Sequence, residues 1–214
     1  MTTLITGANR GVGAALYRAF QATGEKTIGT SRVGDDHLPL DVTKRSAFMA
    51  LSAALNKESI TTLICNAGVH NDKNFTLDSD YTPDIWADTF AANVTGVFMT
   101  IEALLPNLRS SKNAKIAIIS SQMGSNTRAT GGSYAYRASK AAALNLGRNL
   151  ATDLAAEGIA VGIYHPGWVI TDMGGDEADI TVAQSAAGLF KQISALNMAK
   201  TGCFETWDGK PHPL

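Results

Sequence analysis

The chain has 214 residues, of which 45% are hydrophobic and 17% are charged, with 18 basic and 19 acidic side chains. The net charge of −1 supplies no basic field for a phosphate backbone or an anionic membrane surface, so we expect neither nucleic acid nor a membrane as a partner. Cys65 and Cys203 lie far apart and form no C-x-x-C pair. This excludes a disulfide framework and a cysteine-based zinc site, and no metal site is expected.

Short apolar runs alternate with longer amphipathic segments along the chain. Strands are predicted at residues 3–6, 26–31, 38–40, 62–65, 115–120, 160–164 and 203–206. Helices are predicted at residues 11–23, 43–56, 83–108, 136–157 and 182–196. Strands that alternate with helices pair in parallel, because parallel neighbours need a crossover connection. We therefore predict an α/β fold, a doubly wound parallel sheet of about seven strands in a Rossmann-like three-layer sandwich.

The N-terminal segment MTTLITGANR has no basic region, long apolar stretch or cleavage site typical of a secretory signal. No uninterrupted apolar run approaches the roughly 20 residues needed to span a bilayer. We expect a soluble, cytoplasmic protein.

A glycine-rich segment, TGANRGVG at residues 6–13, follows the first strand and opens the first helix. Gly7, Gly11 and Gly13 remove side chains where the backbone must turn and approach a pyrophosphate, and the helix then presents free N–H groups to the phosphates. The spacing is G-x-x-x-G-x-G rather than G-x-G-x-x-G, and the ending of a P-loop is missing. The alternative is an ordinary turn between a strand and a helix. The other residues of this predicted dinucleotide site are Asn9, Arg10 and Val12.

The second predicted strand ends with Ser31 and is followed by Arg32. An NAD site usually has a carboxylate here, about 20 residues after the glycines, to bind the ribose 2′-OH. The Arg32 guanidinium favours a 2′-phosphate instead, and Arg10 could add a second cation. Asp35 and Asp36 follow and would weaken this preference, and both arginines could be solvated surface charges. We predict NADP as the cofactor, ahead of NAD.

Tyr136 and Lys140 lie four residues apart in the segment YRASK, at the start of a predicted helix. Residues at this spacing share one helix face. A neighbouring ammonium stabilises a phenolate, so we expect Lys140 to lower the pKa of Tyr136 and to make it a general acid for a carbonyl oxygen. The pair alone is a weak signal, because chance readily produces this spacing.

Three further polar segments follow predicted strands. Ser120 and Ser121 follow the apolar run IAII at the end of the fifth strand, CNAG at residues 65–68 ends the fourth strand, and HPGWVIT at residues 165–171 follows the sixth. Asn93 lies in the helix after CNAG. Ligands of doubly wound sheets bind beyond the carboxyl ends of the strands, so we expect these segments to line one crevice.

Together these motifs resemble those of the single-domain short-chain dehydrogenase/reductase family. The resemblance covers nearly the whole chain through TGANRGVG, DV at residues 41–42, CNAG, the Asn93 helix, ISS, YRASK and HPGWVIT. HPGWVITDMGG and the tryptophan-containing tail are similar to the small C-factor-like and sniffer-like carbonyl reductases. The resemblance implies that residues 1–214 form a single dinucleotide-binding catalytic domain. The implied activity is NADP-dependent interconversion of a small-molecule carbonyl compound and an alcohol; a low-turnover NADP-binding regulator or signalling protein stays open as the alternative.

The resemblance also implies residue roles. Tyr136 would be the acid/base, Ser121 would bind the substrate oxygen, and Lys140 would lower the phenol pKa and hold the nicotinamide ribose. Asn93 would support a water-linked proton relay through Lys140. Ser121 lies further before Tyr136 than is usual, so Ser120 stays as a substitute. The other implied cofactor contacts are Asp41, Val42, Asn66, Ala67, Gly68, Pro166, Gly167, Val169 and Thr171.

Some polar residues receive no functional assignment from the sequence. His70 and His165 are expected to have structural roles, because no cluster of metal-ligand type accompanies them. The aspartates expected on the solvated surface are Asp72, Asp78, Asp80 and Asp84. The resemblance also suggests a homodimer that pairs through the helices containing Asn93 and Tyr136.

Overall fold

The computed structural model describes residues 1–33 and 36–214, so Asp35 lies outside the described residues. Within that part of the chain, seven strands form one sheet: β1 (Thr2–Thr6), β2 (Lys26–Ser31), β3 (Leu38–Pro39), β4 (Thr62–Cys65), β5 (Lys115–Ile119), β6 (Ala160–His165) and β7 (Phe204–Thr206). Their order is β3-β2-β1-β4-β5-β6-β7, and every pairing is parallel. The predicted doubly wound, Rossmann-like parallel sheet is confirmed.

Helices cover both faces of the sheet. They are α1 (Gly11–Gln21), α2 (Arg45–Ala54), α3 (Pro83–Phe90), α4 (Gly96–Arg109), α5 (Tyr134–Asp153) and α6 (Val182–Ala195). A π-helical turn, Ala91–Thr95, joins α3 to α4. The helix predicted over residues 83–108 is therefore continuous in path but interrupted in its hydrogen-bond pattern.

Adjacent residues of a strand reach opposite cores. Leu63 and Ile64 are both fully buried, but Leu63 belongs to the cluster formed with α2, α4 and α5, whereas Ile64 belongs to the cluster formed with α1 and α6. Burial of such a side chain stabilises the fold by roughly 1.5–3 kcal/mol. Because both faces are covered, the strands are apolar throughout rather than alternating.

The direction of winding reverses between β1 and β4. The chain builds β2 and β3 on one side of β1, and β4 to β7 on the other. In a doubly wound sheet this reversal opens a crevice at the carboxyl ends of the two central strands. The glycine-rich segment after β1 and the CNAG segment after β4 meet there.

The helical stretch Pro83–Arg109 has 27 residues and contains an 18-residue window with a mean hydropathy of 1.2, so by length and composition alone it could cross a membrane. Its apolar residues Leu104 and Leu108 are instead fully buried in the core against the sheet. A core helix of this kind accounts for the hydropathy.

Candidate active site

The glycine-rich segment lies directly against the end of β4. A Cβ at Gly7, where φ is +66°, would lie 3.1 Å from the Cα of Ala67, and a Cβ at Gly13 would lie 2.1 Å from the carbonyl oxygen of Gly7. Asn66 Nδ2 donates to the carbonyl oxygens of Thr6 at 3.0 Å and Gly7 at 3.1 Å. Glycines are therefore required at these positions, and Asn66 joins the two segments into one wall of the crevice.

The start of α1 offers its N–H groups to a ligand. Arg10 precedes the helix in an extended conformation, its side chain makes no capping hydrogen bond, and the first turn contains no acidic residue. Gly11 has φ +55°, and a Cβ there would meet the Thr171 methyl at 3.6 Å. A helix start of this kind, preceded by close-packed glycines, fits a phosphate group.

Arg10 itself pairs with a carboxylate across the crevice. Its Nη1 lies 3.0 Å from Asp172 Oδ2, and both side chains are largely exposed. An exposed ion pair contributes only about 0–1 kcal/mol, so breaking this pair costs little free energy. Of the other predicted cofactor residues in this segment, Asn9 is exposed and Val12 packs partly against the core below.

The end of β2 presents an exposed guanidinium. The Ser31 hydroxyl is buried and donates to the carbonyl oxygen of Val33 at 2.5 Å, whereas Arg32 is exposed. Asp41 Oδ1 accepts hydrogen bonds from the Thr43 N–H at 3.0 Å and hydroxyl at 2.7 Å. These bonds, and to a smaller extent the charge of Arg32, lower the pKa of Asp41. Arg32 is therefore exposed at the strand end where a residue that binds a 2′-phosphate was predicted.

Val42 follows as a buried residue. Its carbonyl oxygen would lie 2.7 Å from a Cβ on Gly96, at the start of α4. The backbone of the DV segment is therefore packed tightly against the start of α4, directly after the π-helical turn that contains Asn93.

The segment after β6 is held by backbone contacts. The Pro166 carbonyl oxygen accepts from the Ser185 hydroxyl at 2.5 Å, and Gly167 has φ +89° with Ile180 so close that a Cβ would lie 2.3 Å from its Cδ1. Val169 is buried and pairs with Ile180 as an isolated bridge. These residues shape the loop.

Thr171 closes the same loop. Its hydroxyl donates to the carbonyl oxygen of Val169 at 3.2 Å and accepts from the Gly174 N–H at 3.0 Å. The predicted contact of Thr171 with a nicotinamide carboxamide stays a prediction, although the contact with Gly11 puts the residue at the crevice.

Tyr136 occupies the first turn of α5 as a buried side chain. Its ring stacks on His70, with centroids 3.9 Å apart and planes at 20°. The Ser121 hydroxyl lies beside the phenol and lowers its pKa by hydrogen bonding. Lys140 Nζ lies 5.6 Å from the ring centroid and donates to the carbonyl oxygen of Ile119 at 3.0 Å. The residues predicted from YRASK and ISS therefore converge.

The expected lowering of the Tyr136 pKa by Lys140 is wrong for this structure. Burial raises the pKa of Tyr136 to about 12, while the hydrogen bond with Ser121 lowers it and the charge of Asp72 raises it. The Lys140 ammonium faces a backbone carbonyl, and burial lowers the pKa of Lys140 to about 8. The phenol is consequently protonated at neutral pH, which is the form that an acid needs.

The two serines after β5 make different contacts. The Ser120 hydroxyl donates to the carbonyl oxygen of Lys140 at 3.0 Å and so ties β5 to α5. Ser121 Oγ accepts from the Met123 N–H at 3.1 Å and meets the Tyr136 phenol. This geometry favours Ser121 over Ser120 as the residue at the reacting oxygen.

Asn93 is buried in the π-helical turn. Its Nδ2 donates to the carbonyl oxygen of Val69 at 2.9 Å and to the Ser139 hydroxyl at 3.0 Å, while its Oδ1 accepts from the Val69 N–H at 2.8 Å. π-Helical turns occur frequently at functional sites. Here the turn places the Asn93 amide in contact with Val69, directly after the CNAG segment, and with Ser139 on α5.

Gly68 separates Asn93 from Lys140. A Cβ at Gly68 would lie 2.9 Å from Asn93 Oδ1 and 3.5 Å from Lys140 Nζ. The three residues are therefore neighbours, and the water relay between Asn93 and Lys140 stays a prediction.

Asp72 does not lie on the solvated surface, where its loop sequence predicts it. It is fully buried, and its carboxylate accepts from the N–H groups of Ala135 at 2.8 Å and Tyr136 at 3.2 Å. The expectation of solvated surface was wrong for Asp72, because α5 brings no acidic residue of its own to its first turn. The lack of an acidic residue in the first turn of α5 was the signal that this helix takes its cap from elsewhere in the chain. The aspartates found exposed, as expected, are Asp78, Asp80 and Asp84.

The two histidines are both buried to a large degree. His70 stacks on Tyr136, so it lies in the candidate site, and its expected structural role stays a prediction. His165 ends β6, and burial lowers its pKa to about 4.

Comparison with known proteins agrees with this geometry. The sequence pattern of the short chain dehydrogenase family matches residues 1–179. C-signal from Myxococcus xanthus is 39% identical over 155 residues, which cover 72% of this chain and 92% of that protein. Two solved structures, NADPH-bound carbonyl reductase from chicken fatty liver and carbonyl reductase Sniffer of D. melanogaster, each share 29% identity at a TM-score of 0.91. The alignments cover all of this chain and 98% and 99% of theirs. The chain therefore belongs to the short-chain dehydrogenase/reductase family of oxidoreductases.

Proposed function

We propose that the protein is an NADP-dependent carbonyl reductase, which interconverts a small-molecule carbonyl compound and an alcohol with Tyr136 as the general acid/base. The observation that carries this proposal is the meeting of the buried Tyr136 phenol with Ser121 and Lys140 at the carboxyl ends of the central strands. Two similar solved structures are carbonyl reductases, one of them with NADPH bound.

The wall formed after β1 and β4 fits a dinucleotide. A Cβ at Gly13 would collide with the Gly7 carbonyl oxygen, and the start of α1 has no side-chain cap from Arg10, so the segment brings bare backbone to the crevice. Arg32 would hold a 2′-phosphate, and Lys140 and Thr171 would meet the nicotinamide half. NADPH bound there would supply the hydride that reduces the carbonyl carbon.

The chain's own residues handle the carbonyl oxygen. Ser121 would donate a hydrogen bond to that oxygen, and Tyr136 would give it a proton. Because burial raises the pKa of the phenol to about 12, Tyr136 carries this proton at neutral pH. Lys140 retains its charge at neutral pH even with a pKa lowered to about 8, and it would hold the nicotinamide ribose.

We expect purified protein to oxidise NADPH in the presence of carbonyl compounds and to form the alcohol in equal amount. Ser121→Ala should lower kcat about 10²-fold, because it removes a donor to the developing oxyanion. Absorbance at the NADPH band and product analysis measure both quantities.

Ser120→Ala is the matched control. It removes a buried hydrogen bond to Lys140 and should cost about 1 kcal/mol of stability while kcat changes by less than about threefold. If Ser121→Ala and Ser120→Ala lowered kcat equally, Ser121 would not be the donor to the carbonyl oxygen.

Cofactor preference tests Arg32. We expect NADPH to bind at least about tenfold more tightly than NADH, equivalent to some 1.4 kcal/mol, because the guanidinium adds a charge-assisted contact to the 2′-phosphate. Arg32→Ala should abolish this difference, whereas Arg148→Ala, an exposed arginine on α5, should preserve it. Fluorescence titration gives the dissociation constants of NADPH and NADH. Equal binding of the two cofactors by the unmodified protein would refute the assignment of Arg32 to the 2′-phosphate.

A second candidate function is a low-turnover NADP-binding regulator or signalling protein. One observation favours it, the similarity to the protein named C-signal. Tight NADPH binding combined with no turnover across a broad carbonyl panel would support this candidate against the reductase.

A further inference from the structure

A buried carboxylate lies under the first turn of α5. The helix starts at Tyr134 without an acidic residue in its first turn, and the preceding Ser133 has left-handed torsion angles of φ 46° and ψ 47° and makes no side-chain capping bond. The first N–H groups of the helix therefore need an acceptor from elsewhere in the fold.

Asp72 supplies that acceptor from the loop after β4. Its carboxylate accepts from the N–H groups of Ala135 at 2.8 Å and Tyr136 at 3.2 Å, and from the Tyr81 hydroxyl at 3.3 Å. A carboxylate at a helix start also interacts favourably with the helix dipole. One of the two capped amides belongs to the tyrosine of the site itself.

The same loop fixes the ring of Tyr136 from its face. His70 stacks on the ring at 3.9 Å, and its Nε2 lies 3.0 Å from the Ser133 hydroxyl and 3.9 Å from Asp72 Oδ1. The Ser133 hydroxyl also contacts the Asp72 carbonyl oxygen, at 3.2 Å. Asp72 thus contacts both the backbone of Tyr136 and the residue on which the ring rests.

We propose that Asp72 is a positioning residue that holds Tyr136 in place, by capping the first turn of α5 and by seating His70 against the ring. This inference deepens the proposed function, because it assumes Tyr136 as the acid. The negative charge of Asp72 has a second consequence, since it favours the protonated phenol.

The groups that face the phenol are few among the described residues. Ser121 lowers the phenol pKa through its hydrogen bond, and Asp72 raises it through its charge. His70 is neutral at pH 7, because burial lowers its pKa to about 4, although Asp72 raises it and the more distant Lys73, Lys140 and Arg137 lower it further. Lys140 Nζ lies 5.6 Å from the ring centroid. Removing the Asp72 charge should therefore make the phenolate easier to form.

The first experiment needs no turnover. Amide hydrogen exchange followed by NMR in the Asp72→Asn variant should be at least about tenfold faster at Ala135 and Tyr136, with no change at Leu144 in the middle of α5. Asp78→Asn, which removes a charge from an exposed position of the same loop, should leave all three amides unchanged. A uniform change along the helix, or no change, would overturn the inference. Asp72→Ser, with a shorter neutral acceptor, serves if the asparagine variant does not fold.

The second experiment measures catalysis. In Asp72→Asn we expect kcat for carbonyl reduction to fall at least about tenfold with KM within about twofold, because positioning acts on the transition state. The rise of alcohol oxidation with pH should begin at lower pH, since oxidation needs the phenolate. An unchanged kcat and pH profile in an otherwise active protein would refute the role of Asp72. An inactive unmodified protein would refute the proposed function instead, and the exchange rates would still decide whether Asp72 holds Tyr136.

Discussion

Replacing Tyr136 with phenylalanine is expected to lower kcat for carbonyl reduction by about 10³-fold, in the range that a general acid contributes. Phenylalanine retains the buried ring and its stack on His70, and it removes only the hydroxyl that meets Ser121. NADPH affinity should stay within about twofold, because the glycine-rich segment and Arg32 are untouched. Steady-state kinetics and a fluorescence titration on the same preparation separate the two effects.

Tyr134→Phe is the matched control for this variant. Tyr134 starts the same helix, but its i+4 position is Ala138 rather than a lysine, and its ring lies 5.8 Å from that of Tyr81. Its kcat should stay within about threefold of the unmodified protein. Near-normal reductase activity in Tyr136→Phe, with NADPH still bound, would contradict the role of Tyr136 as the general acid.

The sheet and most of the site could be predicted because they depend on local patterns. Apolar runs such as LIC at residues 63–65 must be covered on both faces, and glycines at positions 7 and 13 are needed wherever backbones approach this closely. The order of strands and helices then brings the segments after β1, β4 and β5 to one edge. Family membership agrees with that interpretation.

Long-range packing explains what the sequence did not predict. Asp72 looks like one of several loop aspartates, and only the docking of α5 turns it into a buried cap. The π-helical turn at Asn93 depends on one extra residue per turn, for which the sequence AANVT carries no signal. The pKa of Tyr136 depends on its burial and on the direction of the Lys140 side chain, neither of which follows from spacing alone.

The single-domain, homodimer and cytoplasmic expectations stay predictions, since none of the observed contacts bears on them. The cofactor preference also stays a prediction, because it depends on Arg32 at an exposed strand end and on Asp35, which lies outside the described residues.

Gly13→Ala is expected to destabilise the protein by about 2–3 kcal/mol, although alanine in a helix interior normally stabilises by up to about 1 kcal/mol relative to glycine. The new Cβ would lie 2.1 Å from the Gly7 carbonyl oxygen and 2.4 Å from Asn66 Nδ2. Neither neighbour can move freely, because Asn66 Nδ2 donates to that same oxygen at 3.1 Å. Relief therefore requires α1 to shift from the end of β4 or the hydrogen bond to break.

Either movement disturbs the wall that we assign to the pyrophosphate, so NADPH affinity should fall at least about tenfold. Gly24→Ala provides the control, since nothing lies within 4 Å of its Cβ position and only the backbone strain of φ +79° remains. That variant should lose about 1 kcal/mol and bind NADPH normally. Chemical denaturation and cofactor titration measure both quantities. If Gly13→Ala proved as stable as Gly24→Ala and bound NADPH as tightly, the close approach of α1 to the CNAG segment would not be what shapes the cofactor site.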